Sequence, residues 1–594
     1  MIRLYLEYFT KLDTAEETLL EVPVENYILL ALCKYLYQAE IERHIQINFV
    51  QCKTNRENHE AIFVNVGQLA VRFSNNENWP CVATYCQLPT LESNDWIISG
   101  LCGICRRIAK TYTQCFKNPK QILGFKGNTL LAPAEISMWT KFCELDIVRC
   151  IREVLLLRNG SSCTLPEDVG RFESHLSQPL KVHNIYKLIN NIQNVKISSQ
   201  QEYDKLNTET DRFDFHANHK FAEGYEKTLA DIILFVSVNL LHRRISLDTL
   251  SEKLPKISSW YQLVTSDDNG ELCQICDKLT SNLQQLQPNL VKLEVHQINV
   301  TVPVNYSLYK SDTKKLNLLG ERVLTTNQAE VLSILNKIAD LELNIGSQPN
   351  SRKDNLFDWE TVPLIAKPEG GKLPSKRVER KKHQLECLAN EVIVMARPGD
   401  IIVDFCSGTG HLGILLACLL PDCTIYLLEN KEESQQIAME RVRRLGLNNV
   451  VYFQCNLNYF TARFDIGVSL HACGVASDIV LDKCLEQRAK FVCCPCCYGK
   501  LYESDAMQYP RSKFFRQSDL LLKEYLCIAH CADQTHDLDN SRTNLEKSHQ
   551  GFYCMDIIDK DRAMRAEEFG YTVSLKRLKP ENCTPKNRML VGIF

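Results

Sequence analysis

With 594 residues, 45% of them hydrophobic, the chain has the material for several packed domains. A net charge of −3 excludes global electrostatic capture of nucleic acid, so any RNA binding has to be local, and neither DNA nor a membrane is expected as a partner. No apolar run reaches the length of a bilayer crossing and no N-terminal signal pattern is evident; the 27 cysteines, an odd number, read as reduced thiols of a cytoplasmic protein.

In chain order, the first informative stretch is LPTLESNDWIISGLCGICRRIAK, from Leu88 to Lys110. It is similar to the thioredoxin-like half of glutathione transferases, with Pro89 in the place of the cis-proline before an edge strand. The resemblance implies a glutathione site that this sequence does not complete. Ile98, Ser99 and Gly100 stand where an acid should hold the γ-glutamyl group, and no Tyr, Ser or Cys serves as a thiol activator. Residues 1–115 are therefore expected to form a degenerate thioredoxin-like domain, and glutathione is not expected as a ligand.

FAEGYEKTLADIILF, from Phe221 to Phe235, places Thr228 and Asp231 in an S/T-x-x-D pattern before an apolar helix. Thr228 then caps backbone donors and Asp231 reaches back, which explains both residues without catalysis. With WTKFCELDIVRCIREVLLL (Trp139 to Leu157) and SSWYQLV (Ser258 to Val264), the stretch resembles the all-helical domain of glutathione transferases. That resemblance implies a helical bundle over residues 125–275. Residues 276–375 read as a linker or irregular region, and flexible stretches are expected at 200–220, 347–355 and 367–376.

Residues 376–594 open on RVERKKHQLE, from Arg377 to Glu386. Its basic run, Lys376, Arg377, Arg380, Lys381 and Lys382, reads as a local RNA contact or as a solvated helix face, since Glu379 and Glu386 interrupt it. VDFCSGTGHLG follows from Val403: an apolar strand stops at Asp404, a turn carries Gly408 and Gly410, and a helix begins near His411. A second strand ends on Glu429, which can accept hydrogen bonds from both ribose hydroxyls of an adenosine. The glycines let the backbone turn sharply beside a ligand, and the helix start offers unpaired N–H groups. Gly408, Gly410 and Gly413 also satisfy the G-x-G-x-x-G of dinucleotide folds, so that cofactor is the alternative. Asp404, however, precedes Gly408 by four positions, and D-x-x-x-G-x-G resembles the first motif of class I S-adenosylmethionine methyltransferases. The resemblance implies S-adenosylmethionine as cofactor, with Asp404 fixing its amino-acid end.

VVYFQCN, ending at Asn456, reads as a third strand, FDIGVSLHACG (Phe464 to Gly474) as a fourth and KFVCCPCCYG (Lys490 to Gly499) as a fifth. Asn456 stands where such folds place an Asp that reads the adenine amino group. YTVSLKRL and the C-terminal RMLVGIF supply an antiparallel last pair. The expected fold class is α/β multidomain: the degenerate thioredoxin-like domain and helical bundle, then a doubly wound Rossmann-like methyltransferase domain.

With the fourth strand beside the first, His471, Cys473, Cys493, Cys494, Cys496, Cys497 and Tyr498 are expected around one cavity next to the cofactor's methyl group. Three readings stand. His471, Cys496, Cys497 and Tyr498 form an acceptor pocket in which His471 or Tyr498 handles a proton; one His and several thiolates bind zinc; or the cysteines fill tight space and His471 is a hydrogen-bonded core residue. CCPCC gives two overlapping C-x-x-C pairs, Cys493 with Cys496 and Cys494 with Cys497. No second pair at finger spacing completes a four-ligand set, so no metal is assigned.

VDFCSGTGH, LLENK, HACGVASD, CPCCYG, ADQT, DIIDKDRAMRAEEFGY and CTPKNRMLVG, taken together, closely resemble the glutathione S-transferase C-terminal domain-containing protein family. Its methyltransferase domain is in turn similar to a tRNA ribose 2′-O-methyltransferase family, which implies RNA as the first acceptor class to consider. The expectation is a cytoplasmic S-adenosylmethionine-dependent methyltransferase with an RNA or protein acceptor. The alternatives are a binding or scaffold protein in which both ancestral chemistries are lost and, last, residual glutathione conjugation. The sequence assigns no oligomeric state.

Overall fold

The structure, a computed structural model, describes residues 1–594 except 14–16, 53–60, 68, 75–78, 95, 118, 125–126, 132–137, 181–217, 282–291, 294, 305–307, 309–326, 344–354, 372–373, 505–506 and 536–541. Most of the expected flexible stretches at 200–220 and 347–355 lie outside the described residues. Two compact units result: Met1–Ala83 with Leu88–Ser93 and Gly100–Asp312, and Thr313–Phe594 with Thr84–Gln87 and Asn94–Ser99.

In the first unit, β1 (Ile2–Tyr8), β2 (Lys11–Asp13), β3 (Thr18–Pro23), β4 (Ile45–Gln51), β5 (Ala61–Asn65), β6 (Val71–Ser74) and β7 (Thr90–Ser93) form two sheets. β1 runs parallel to β4 and antiparallel to β7, β4 runs parallel to β6, and β2, β3 and β5 make a separate antiparallel ribbon. The peptide before Pro89 is cis and leads directly into β7. Helix Leu229–Arg244 is apolar around nearly its whole circumference, and it is correspondingly central: Ile232 to Val236 are fully buried. Its capping box forms as the sequence indicated. The buried Asp231 carboxylate accepts Thr228 N–H at 2.8 Å, and also Ala222 N–H at 2.7 Å and Trp260 Nε1–H at 2.9 Å. β8 (Trp96–Ser99) belongs to the second unit, while β9 (Gly160–Thr164) pairs in parallel with β10 (Val295–Asn299). The interval 276–375 thus carries a strand, and also helix Gln328–Ala339, where the sequence suggested irregular chain.

The second unit is built on a sheet ordered β16-β17-β15-β14-β11-β12-β13-β8. Its parallel centre is β11 (Ile401–Phe405), β12 (Thr424–Leu428), β13 (Val450–Gln454), β14 (Ile466–Ser469) and β15 (Lys490–Cys493). Each is a short apolar run that lies buried over most of its length, as strands covered by helices on both faces must be. β14 lies beside β11, and β16 (Thr572–Arg577) and β17 (Arg588–Ile593) close one side as the expected antiparallel pair. On the other side β8 runs parallel to β13, Trp96 opposite Tyr452 and Ile98 opposite Gln454. Ile98 and Ser99, read from sequence as part of a 1–115 domain, therefore stand in a strand of the second unit. A partner more than 350 positions away leaves no local signal of which sheet a four-residue strand will join.

Candidate functional site

The two carboxylates at the strand tips are fixed by backbone donors. Asp404, the penultimate residue of β11, is almost fully buried, and its Oδ2 accepts Gly413 N–H at 2.8 Å. Glu429 follows β12; Oε2 accepts Gly408 N–H and Oε1 accepts Lys431 N–H, both at 2.9 Å. The glycines between them divide the work. Gly408 and Gly410 have φ of 58° and 76°, and a Cβ built on Gly408 meets nothing within 4 Å, so that side of the turn faces open space. A Cβ on Gly413 would fall 2.2 Å from Leu427 Cδ2, so this glycine serves the close packing of helix His411–Leu419 on the sheet. Within the turn, the buried Ser407 hydroxyl has no hydrogen-bond partner among the described residues. Asn456 follows β13 half-buried and its Oδ1 accepts from Asn430 Nδ2 at 3.2 Å.

Burial dominates the electrostatics. It pushes the Asp404 carboxyl up to about 7, against the opposing pull of Gly413 N–H and Lys381 and with repulsion from Glu429. Lys381 is pushed down to about 8 by the same cause. This lysine belongs to the basic run of RVERKK, yet helix Ser375–Met395 turns it inward, within electrostatic reach of Asp404, Cys494, Cys496, His411 and His471. Arg377 and Arg380 are exposed, and Lys382 Nζ sits 5.4 Å from the centre of the Trp359 ring; the Lys376 side chain lies outside the described residues. Burial, Arg441 and Lys381 hold His411 neutral, with its Nδ1 3.5 Å from Arg441 Nη1. His471 follows β14, and burial of its ring, helped by the charge of the nearby Lys381, holds its imidazole down to about 4.

The cysteine run splits into two sets, and neither C-x-x-C pair forms. Cys493 and Cys494 are buried at the end of β15, Cys493 Sγ lying 3.1 Å from Ser469 Oγ. Cys496 and Cys497 instead meet Cys473 from the loop after β14: Cys473 and Cys496 pair as an isolated parallel bridge, Gly474 N–H donates to Cys496 O at 2.9 Å, and their sulfurs are 3.1 Å apart. Cys473 is exposed, Cys496 and Cys497 are half-buried, and all three sulfurs lie within 4.8 Å of one another. The trio favours ionisation at Cys473 and Cys497, each stabilised first by the Cys496 thiol, which keeps its proton.

Tyr498 does not join them. It is fully buried, its hydroxyl donates to Asp559 Oδ2 at 2.7 Å, and its N–H and that of Gly499 bind the two oxygens of Asp533 at 3.0 and 2.8 Å. As a group that would touch an acceptor it is displaced from the position the sequence suggested: the backbone turns at Cys497 (φ 53°), and the ring packs inward with Tyr525, Ile528 and Ile558. DIIDKDRAMRAEEFGY explains the attraction. Arg562 Nε and Nη2 donate to Asp478 at 2.9 and 2.8 Å and Nη1 to Asp559 at 3.0 Å, while Asp561 accepts from Ser512 and from the Tyr525 hydroxyl. The helix carrying that motif, Arg542–Glu567, holds the cysteine loop from behind.

Residues 376–504 match a family model described as a methyltransferase domain, so the second unit carries such a domain. Over its whole length the chain is 38% identical to the glutathione S-transferase C-terminal domain-containing protein homolog of Drosophila melanogaster, covering 100% of this chain and 99% of that protein. It is 32% identical to the Homo sapiens glutathione S-transferase C-terminal domain-containing protein, covering 89% of each. A shorter stretch, 23% of this chain and 64% of the relative, is 30% identical to the ribosomal RNA small subunit methyltransferase G of Bacteroides thetaiotaomicron. The chain therefore belongs to the glutathione S-transferase C-terminal domain-containing protein family.

Proposed function

We propose that the chain is an S-adenosylmethionine-dependent methyltransferase with RNA as acceptor. One observation carries the reading: Asp404 and Glu429, at the ends of adjacent parallel strands, flank a glycine turn whose Gly408 faces open space, with the unpartnered Ser407 hydroxyl buried inside it. The cofactor supplies an electrophilic methyl group. Asp404 binds the ammonium of its amino-acid end; Glu429, held at both oxygens by backbone N–H groups, keeps lone pairs for the ribose hydroxyls; Asn456 meets the adenine. On the acceptor side, His471, biased toward its neutral form by burial and by the Lys381 charge, accepts a proton, and Cys496 lies within electrostatic reach of the same lysine. Support for RNA is the likeness to the ribosomal RNA methyltransferase and the exposed Arg377 and Arg380. In this reading the first unit combines a degenerate thioredoxin-like domain with a glutathione-transferase-like helical bundle that does not conjugate glutathione, and the protein works in the cytoplasm.

The test is calorimetric titration with S-adenosylmethionine, then transfer of a labelled methyl group to total RNA with and without ribonuclease. Glu429→Ala should weaken cofactor binding at least a hundredfold in a folded protein. Cofactor binding with no label in RNA or protein would assign the chain to the scaffold alternative; no binding at all would remove the enzyme reading.

A further inference from the structure

The three gathered sulfurs of Cys473, Cys496 and Cys497 ask for an explanation that core packing does not give. Packing accounts for Cys493 and Cys494, which are buried. Cys473 is exposed, and it is brought to Cys496 by two strand-end segments bridged backbone to backbone. Cys497 is held at φ 53°, a region that a non-glycine residue occupies at a cost, and this turn sets it beside the other two. The loop that holds them is rigid from behind, since Asp533 takes both the Tyr498 and Gly499 N–H groups. Such a preformed arrangement of soft donors on fixed backbone is what a thiophilic cation requires.

We propose that Cys473, Cys496 and Cys497 are a binding site for a zinc-class divalent cation, with three thiolate ligands and a fourth position open to solvent or substrate. Among the described residues no further His, Cys, Asp or Glu ligand atom joins the group, so the set matches the three-ligand pattern of reactive zinc sites and not the closed four-ligand pattern of structural ones. Tetrahedral zinc–sulfur bonds of about 2.3 Å place ligand sulfurs about 3.8 Å apart, well inside the observed envelope of 4.8 Å. The Cys473–Cys496 pair, at 3.1 Å, opens by less than an ångström on binding. Charge balances as well: a divalent ion displaces the thiol protons to solvent and leaves one net negative charge on the three-thiolate complex. Lys500 and Lys586 lie within electrostatic reach to neutralise it, the latter braced by Asp533 at 3.0 Å. The short spacing of CCPCC could not show this set, because its third member comes from the preceding strand end.

The experiment uses the full chain, reduced, stripped with a chelator, and titrated with Zn(II) against a chromophoric competitor and with Co(II) for its absorption. One equivalent of zinc per chain is expected, and a thiolate-to-cobalt charge-transfer band in the near ultraviolet. Cys473→Ser, Cys496→Ser and Cys497→Ser should each weaken zinc at least tenfold, while Cys115→Ser, exposed in the first unit, should not. Circular dichroism on Cys473→Ser, the exposed ligand, separates lost binding from lost fold. Absence of stoichiometric zinc in the reduced wild type would overturn the site. So would unchanged affinity in the Cys473→Ser/Cys497→Ser double variant, or a Cys473–Cys496 disulfide whose reduction restores no metal binding. S-adenosylmethionine titration of the same samples is independent, so either result can fail without the other.

Discussion

Asp404 is the residue whose behaviour separates a cofactor site from a packed turn. In the folded chain burial holds its carboxyl at about 7, whereas the unfolded carboxyl ionises near 3.8. Between those values the folded state binds more protons, so the contribution of this group to stability is present at low pH and is lost as pH rises through 7. Binding an ammonium group beside it reverses the preference and expels the proton. Affinity for S-adenosylmethionine should therefore rise up to tenfold per pH unit below 7 and level off above it, with proton release on binding at pH 6 detectable by calorimetry in buffers of different ionisation enthalpy. Asp404→Asn should flatten the profile as well as weaken binding; a wild-type affinity independent of pH between 5.5 and 8 would count against the assignment. Lys381 gives a second handle. Lys381→Met removes a charge that adds to burial in holding His411 and His471 neutral and that attracts Asp404, so methyl transfer should fall at least tenfold and the imidazole titrations move upward by NMR. Sequence could not single out this lysine, because one inward residue in RVERKK looks like its exposed neighbours until the helix is docked.

At the scale of elements, the parallel strands were legible because each is an apolar run ended by a turn residue, and the glycine turn because its motif is local. What was not legible is what distant segments do together. CCPCC suggested pairing within itself, yet the strand ends sort it into a buried half and a half that meets Cys473. Tyr498, one residue further, suggested an acceptor contact, yet its hydroxyl belongs to the charged layer formed by Asp478, Asp559 and Arg562. That layer yields a stability prediction. Arg562 and Asp478 are both essentially solvent-free, and Asp478 also accepts from the Tyr509 hydroxyl at 2.8 Å. Asp478→Ala leaves a buried guanidinium and hydroxyl without that acceptor and should cost about 3–5 kcal/mol in urea unfolding. Asp478→Leu combined with Arg562→Met and Asp559→Asn removes all three charges of the layer and should cost clearly less than the single alanine variant. Equal losses would mean that the layer acts through shape and not through charge.

At the scale of the molecule, the methyltransferase-type sheet is not contained in the C-terminal part of the sequence. Thr84–Gln87 and Asn94–Ser99 belong to the second unit, although they lie more than two hundred residues before its main segment begins at Thr313. The link is extensive. β8 pairs with β13 along Trp96–Ile98, Gln87 N–H donates to Tyr459 O at 2.7 Å, Thr461 and Ala462 N–H both donate to Tyr85 O at 3.0 Å, and the Tyr85 ring lies 5.9 Å from that of Phe453. A fragment beginning at residue 313 would keep every element of the glycine turn but leave β13 as an open strand edge with Tyr452 and Phe453 uncovered, a template for association. It should self-associate in light scattering and melt at least 5 °C below the corresponding transition of the full chain, a shift of the size that about 1–2 kcal/mol produces in a domain of this class. Joining residues 84–99 to the fragment through a flexible linker should restore the monomer and most of the melting temperature, because it returns the strand and the Tyr85 contacts together. A fragment from residue 313 that is monomeric and melts with the full chain would show that β8 covers the sheet without supporting it.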